Sequence, residues 1–265
     1  MDKTIFQFIK TEAQNNPEAI AIDAPGRTPL TYNELHSFIK HATDKLNRSG
    51  IGRGDVIAIV LPNGPEMALA FLAIASTATA APLNPAYRSS EYEFYLADLN
   101  IAAVLTLPGS SSPVIEAANK LKIPVILLSP DDNTPAGLFT LPDSRIREPV
   151  ITGLAQPEDI ALVLHTSGTT ARPKIVPLTQ KNLCTSAKNI ADTLHLTASD
   201  RCLNVMPLFH IHGITACLLA SLAAGSRVVC TPGFYAPNFF EWLSEFQPTW
   251  YSAVPTMHQA ILARA

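Results

Sequence analysis

Short apolar bursts alternate along the chain with longer stretches in which apolar positions recur every three or four residues. DVIAIVLP (55–62), IAAVLTL (101–107), IPVILLS (123–129) and DIALVLHT (159–166) are too short and too uniformly aliphatic for helices, so each predicts a buried strand. KIVPL, RCLNVMP, GSRVVCT and TWYSAV predict further strands, each leading into a helical stretch, and Thr179 is placed to cap the helix after KIVPL. In LTYNELHSFIKHATDKLNRSG, Thr31 and Glu34 have the spacing of a capping box, and Gly50 is the expected stop. MALAFLAIASTATAAPL (67–83) carries Ser76, Thr77 and Thr79 and is closed by Pro82. It falls short of the ~20 residues a membrane span needs, and a buried helix is expected instead.

Strand–helix–strand alternation of this kind implies an α/β fold, with parallel-rich sheets covered by helices and right-handed crossovers. Residues 131–158, rich in Pro, Asp and Thr, read as a connection between a first subdomain (about 1–130) and a second that starts at 159 and runs to 265.

Composition narrows the class. Hydrophobic residues make up 47% of the 265 and charged residues 15%, which is globular rather than disordered. A net charge of −3 and the lack of a Lys/Arg cluster argue against a nucleic-acid partner. The start, MDKTIFQFIKTEAQ, has no signal-peptide pattern, and a cytoplasmic protein is expected. Cys184, Cys202, Cys217 and Cys230 have no C-x-x-C spacing, so buried thiols are expected rather than disulfides or zinc. Nothing in the pattern sets an oligomeric state.

The densest chemistry is HTSGTTARPK (165–174), directly behind the strand ALVL. Ligands of open α/β sheets bind beyond the C-terminal ends of strands, which is where this loop emerges. Thr166, Ser167, Thr169 and Thr170 bring four hydroxyls, Gly168 lets successive amides converge, and Lys174 adds a point charge. Such a nest suits a polyphosphate. The G-x-x-x-x-G-K-[ST] spacing of a Walker A loop is missing, and an ordinary polar surface turn is the competing reading of the residues alone.

The order T-S-G-T-T-x-x-P-K behind a strand closely resembles the phosphate-loop signature of the AMP-forming acyl-adenylating superfamily. Four more segments resemble that family in the expected order: LTYNELH (30–36), FLAIASTATAAPLNPAYRSSEYEFYLAD (71–98), MPLFHIHG (206–213) and VPTMHQAIL (254–262). The resemblance covers essentially the whole chain and implies the αβαβα-type N-terminal domain of the family. It implies that a carboxylate attacks the α-phosphorus of MgATP to give acyl-AMP and pyrophosphate, with CoA taking the acyl group afterwards. Thr166, Ser167, Gly168, Thr169, Thr170 and Lys174 match the phosphate loop. His210 matches the histidine beside the acyl carboxylate, and Phe209, Gly213 and Val254 fall in the acyl-pocket motifs. ATP, Mg²⁺ and CoA are the implied cofactors and co-substrates.

His212 shares a face with His210 if the segment is extended, but no third ligand is near, so no metal site is expected. His165, at the strand end, either orients the loop or fills space. Trp242 and Trp250 read as core. Ala171 and Ile175 depart from the family pattern, in which glycine is usual at both. Full members continue for about twice this length with a Y-G-x-T-E segment, a ribose-binding aspartate, a hinge and a C-terminal domain bearing a catalytic lysine. Residues 1–265 alone are therefore expected to be an incomplete, inactive domain. Within the family the motifs resemble the oxalate–CoA ligase branch. A ligase for longer acids, a module feeding a carrier protein, and a non-catalytic nucleotide-binding fragment remain the alternatives.

Overall fold

The computed structural model describes residues 3–110, 112–143, 145–148, 151–166 and 173–265. It opens with α1 (Ile5–Asn15), β1 (Ile20–Asp23), β2 (Leu30–Thr31), α2 (Tyr32–Arg48), β3 (Val56–Val60), α3 (Pro65–Ala75) and β4 (Thr79–Pro82). Then come α4 (Ser89–Asp98), β5 (Ala103–Thr106), α5 (Val114–Lys120), β6 (Val125–Leu127), β7 (Ser129–Pro130), β8 (Phe139–Thr140), β9 (Ile160–Thr166) and β10 (Lys174–Thr179). The remainder is α6 (Gln180–Thr193), β11 (Arg201–Asn204), a π-helix (His212–Leu219), α7 (Ala220–Ala223), β12 (Arg227–Cys230), α8 (Ala236–Phe246), β13 (Trp250–Tyr251) and α9 (Pro255–Leu262).

Capping decides several helix starts. Thr31 Oγ1 accepts from the Glu34 amide at 3.2 Å, while the Glu34 carboxylate accepts from the Thr31 amide at 2.8 Å, closing the predicted box. Thr179 caps α6 in the same way, with Asn182 as its partner. After α2, Gly50 has φ +90°, and a Cβ there would lie 1.8 Å from the Arg147 carbonyl oxygen. Only glycine fits that stop.

The 67–83 stretch corrects the sequence reading: it is two elements, not one helix. α3 ends at Ala75 and β4 begins at Thr79. Every residue of α3 except Glu66 is buried, and so is all of β4, so hydrophobic periodicity carries no mark of the break. The turn is fixed by hydroxyls: Thr77 Oγ1 bonds the Ala73 carbonyl at 3.0 Å and Thr43 Oγ1 at 2.8 Å. Among the described residues no helix is long and apolar enough to cross a membrane.

Two large sheets form. One has the order β10-β9-β4-β3-β5-β6, parallel except for the β9–β10 hairpin, and the other β13-β11-β12-β1-β2, parallel except for β2. Strand alternation sends residues to different layers. Ile57 and Ile59 of β3 face the central core with α1, α2 and α3, while Ala58 and Val60 face Tyr92 and Leu96 of α4. In β11, Cys202 faces the central core and Leu203 faces Phe239 and Trp242 of α8. The result is a five-layer αβαβα arrangement. All four cysteines are buried.

The 131–158 connection is bonded along its length to the body. Ala136, Ile146 and Ala155 amides bond the carbonyls of Thr28, Ser49 and Ser76, each at 2.8 Å. β1 pairs with β12 and β4 with β9, so each large sheet takes strands from both sides of this connection.

Candidate active site

A cleft of about 420 Å³ opens where β4 and β9 end and where the chain leaves β11. It is lined by Phe209, His210 and His212 from the segment after β11, by Tyr87 and Tyr95 before and within α4, and by His165 and Thr166 at the end of β9. These are the C-terminal ends of parallel strands, the usual ligand position in such sheets. A wider groove along α6 is lined by that helix alone, so no second element brings groups to bear across it.

The predicted phosphate loop sits on a hairpin. β9 and β10 pair antiparallel, with Thr166 opposite Lys174 and His165 opposite Ile175. Both Thr166 and Lys174 are exposed at the loop end of the hairpin. Ser167, Gly168, Thr169, Thr170 and Ala171 lie outside the described residues. Ile175 is also exposed, on the outer strand of the sheet, where a β-branched side chain suits extended backbone.

The P-L-F-H segment is held from below. Asn63 accepts from the Leu208 amide at 2.8 Å and donates to the Thr231 carbonyl at 2.9 Å, tying the segment to the ends of β3 and β12. Asn204 accepts from the Met206 amide at 3.0 Å. The segment is not extended: Ile211 has φ −54° and ψ −34°, and a π-helix starts at His212. His210 and His212 nevertheless both line the cleft. The Phe209 and His210 rings lie 4.5 Å apart. His210 is exposed on the wall, but the protein packed around it disfavours its charged form and lowers its pKa. His212 Nε2 meets Ser252 Oγ at 2.7 Å.

Val254 lines the cleft as the residue that precedes α9. Gly213 does not line it. It is buried, and a Cβ there would stand 2.4 Å from the Pro207 carbonyl oxygen, so its role here is close packing of the first turn of the π-helix against that carbonyl. Trp242 is core, and Trp250 is half-buried against the central core.

Asn84, Tyr87 and Tyr95 were not singled out from the sequence. Tyr87 stacks on Tyr95 at 5.0 Å, and burial together with the Tyr95 hydroxyl raises the Tyr87 phenol above its ordinary pKa. Asn84 accepts from the Ala86 amide at 2.9 Å, and its carbonyl accepts from the Tyr92 hydroxyl at 2.8 Å. The P-L-N-P-A-Y stretch at the end of an apolar strand was the available signal. It holds Asn84 and Tyr87; Tyr95 lies within α4, and periodicity does not say which face of a helix meets a cleft.

The described lining has three imidazoles, phenols, an amide and a hydroxyl, with no carboxylate, lysine or arginine. Such a surface can orient an anion by hydrogen bonding. Among the described residues no three His, Cys, Asp or Glu side chains cluster as a metal site. The described lining therefore does not itself make a Mg²⁺ site.

Comparison with known proteins agrees with this geometry. An oxalate–CoA ligase of Arabidopsis thaliana is 43% identical over 98% of this chain and 52% of its own length. One from Saccharomyces cerevisiae is 33% identical over 89% of this chain and 49% of its own. Apo MatB from Rhodopseudomonas palustris superposes with a TM-score of 0.83 at 24% identity, over 99% of this chain and 51% of that one. The o-succinylbenzoate CoA synthetase of Bacillus subtilis, solved with an acyl-adenylate intermediate, gives 0.79 at 28% identity, over 97% of this chain and 64% of that one. The chain thus spans about half the length of the curated relatives it matches. The match to the AMP-binding enzyme family runs from residue 9 to 265, and the chain belongs to that family.

Proposed function

We propose that this domain serves an ATP-dependent acid–CoA ligase, and that its acid is small and doubly charged, with oxalate favoured. The observation that carries the reading is the placement of Thr166, at the head of the phosphate-loop motif, in one cleft with His210 and His212. Phosphates and acid would meet there.

In the proposed reaction an oxygen of the carboxylate attacks the α-phosphorus of ATP. The bond from that phosphorus to the bridging oxygen breaks, and pyrophosphate leaves. Lys174 and Thr166, with Ser167, Gly168, Thr169 and Thr170, supply donors to phosphate oxygens, which gain most where charge develops in the transition state. His210, neutral at working pH, orients the attacking carboxylate. CoA thiol then displaces AMP from the acyl carbon. Mg²⁺, carried on the ATP phosphates, would supply further charge neutralisation.

The acid preference follows from the lining. A second carboxylate retained after activation needs hydrogen-bond donors, whereas a fatty acid needs a long apolar channel. His212, fixed by Ser252, stands two residues from His210 and provides such a donor; Phe209 and Val254 bound the space. The relatives named as oxalate–CoA ligases support the same choice. ATP and CoA as co-substrates favour a cytoplasmic protein. Pyrophosphate release from the product of the whole gene, measured with oxalate, acetate and long-chain acids, tests the reading. A kcat/KM for a long-chain acid above that for oxalate overturns the acid assignment, and no release with any acid overturns the ligase assignment.

A further inference from the structure

His165 occupies the last position but one of β9, yet its side chain is only 7% exposed. Its Nε2 lies 2.9 Å from Oδ2 of Asp98. Its ring lies 4.6 Å from that of Tyr95 and 6.2 Å from that of Phe94. Asp98, Tyr95 and Phe94 all belong to α4, so one residue of β9 is gripped three times by a single helix.

The position of Asp98 makes that grip informative. It is the last residue of α4, where the helix dipole is negative, and the last turn of α4 has no basic residue. A carboxylate there is unfavourable within its own helix. The compensation comes from outside, as an imidazole donor on the neighbouring strand. An ionised carboxylate only accepts, so Nε2 is the donor in this contact. A helix end that accepts such a placement for the sake of one strand residue is a local conflict, and such conflicts gather at functional positions.

His165 is also the hinge point between two parts of the cleft. Its sequence neighbour Thr166 pairs with Lys174 at the loop end of the hairpin, and α4 on its other side carries Tyr95, which also lines the cleft. We infer that His165 and Asp98 are positioning residues. They fix the end of β9 against α4, and so place Thr166 and Lys174, at the loop end of the β9–β10 hairpin, against His210 for a bound polyphosphate. This rests on the nucleotide reading given above.

The test uses the whole gene product and two probes, MgATP and inorganic pyrophosphate, by titration calorimetry. His165→Phe keeps the ring packing and removes the donor; Asp98→Ala removes the acceptor. Each is expected to weaken both probes about tenfold, the scale of one hydrogen bond to a charged group. His165→Gln, whose amide can still donate to Asp98, is expected to recover most of the affinity. A merely structural pair would show its loss in thermal unfolding. Asp98→Ala leaves the buried Nε2–H of His165 without its partner, so its melting temperature is expected to fall too, and the loss of probe affinity measured well below that temperature is what a merely structural pair would not give. Ring ¹⁵N spectra are expected to show the Nε2–H tautomer in the wild type and a mixture in Asp98→Ala. Unchanged affinity in both loss variants overturns the positioning role while the nucleotide reading stands. Wild-type protein that binds neither probe overturns both.

Discussion

Thr166 and Lys174 are register partners at the loop end of one hairpin, eight residues apart in sequence and directly opposite in space. The two described ends of the phosphate-loop motif are thereby held at a fixed separation by β9–β10 pairing, whatever lies between them.

Lys174→Ala should therefore separate binding from folding. The side chain is exposed and its backbone stays in β10, so the melting temperature should not move. Loss of one charge-assisted contact to phosphate should lower kcat/KM for ATP by about 1.5–3 kcal/mol. Thr169→Ala, in the same loop, should lower kcat by about 2–4 kcal/mol, as for one donor to a developing oxyanion. Steady-state kinetics decide both, and wild-type rates in both variants would return the stretch to a surface turn.

The pH dependence of His210 has a definite sign. Its folded pKa lies below its unfolded value, near 6.5, so acid favours the unfolded chain, which takes up the proton more readily. Its contribution to stability is full above about pH 6.5 and is lost as pH falls from there through the folded pKa. Urea midpoints between pH 8 and 5 should fall more steeply for wild type than for His210→Gln. Parallel curves would contradict this. Because neutral His210 is the proposed working form, the acid limb of kcat/KM should also flatten in the variant.

Gln180 offers a test of the core. It is fully buried at the start of α6, its Oε1 accepts from the Ile5 amide at 3.1 Å, and its Nε2 donates to the Ala75 carbonyl. One side chain thus closes the first turn of α1 and the end of α3. Gln180→Leu strands both backbone groups and should cost about 2–4 kcal/mol in denaturant unfolding. A loss below about 0.5 kcal/mol would mean that water replaces the amide.

Gly213→Ala should disturb the acid side of the cleft without touching it. The new methyl would press on the Pro207 carbonyl, so the π-helix must shift or the fold must lose about 1–3 kcal/mol. Either shows as a lower melting temperature or a raised KM for the acid with ATP affinity kept. Neither change would mean that the wall yields freely.

Much of this was legible in sequence because the signals were local. The Thr31–Glu34 box and the aliphatic bursts that became β3, β5, β6 and β9 depend on near neighbours alone. β4 was missed because a fully buried helix and a fully buried strand carry the same hydrophobic string. β1 was missed because its four residues gain their ladders from the two-residue β2 and from the distant β12. In the site, His210 and Val254 could be placed by motif. Gly213 could not be assigned between lining and packing, since that depends on where the Pro207 carbonyl points. The bond from His165 to Asp98 spans two elements that no spacing rule connects.

The pairing of β1 with β12 bears on how the protein is made. Ile22 waits for Val228, roughly two hundred residues later in synthesis. At ordinary translation speeds of ~5–20 residues per second, that is about 10–40 s on the ribosome with one edge of Ile20–Asp23 still open. Strands β3, β4 and β5 can meet within the first half of the chain, but the five-stranded sheet cannot close until its late strands emerge. Nascent chains stopped before residue 227 should therefore recruit chaperones that longer chains release.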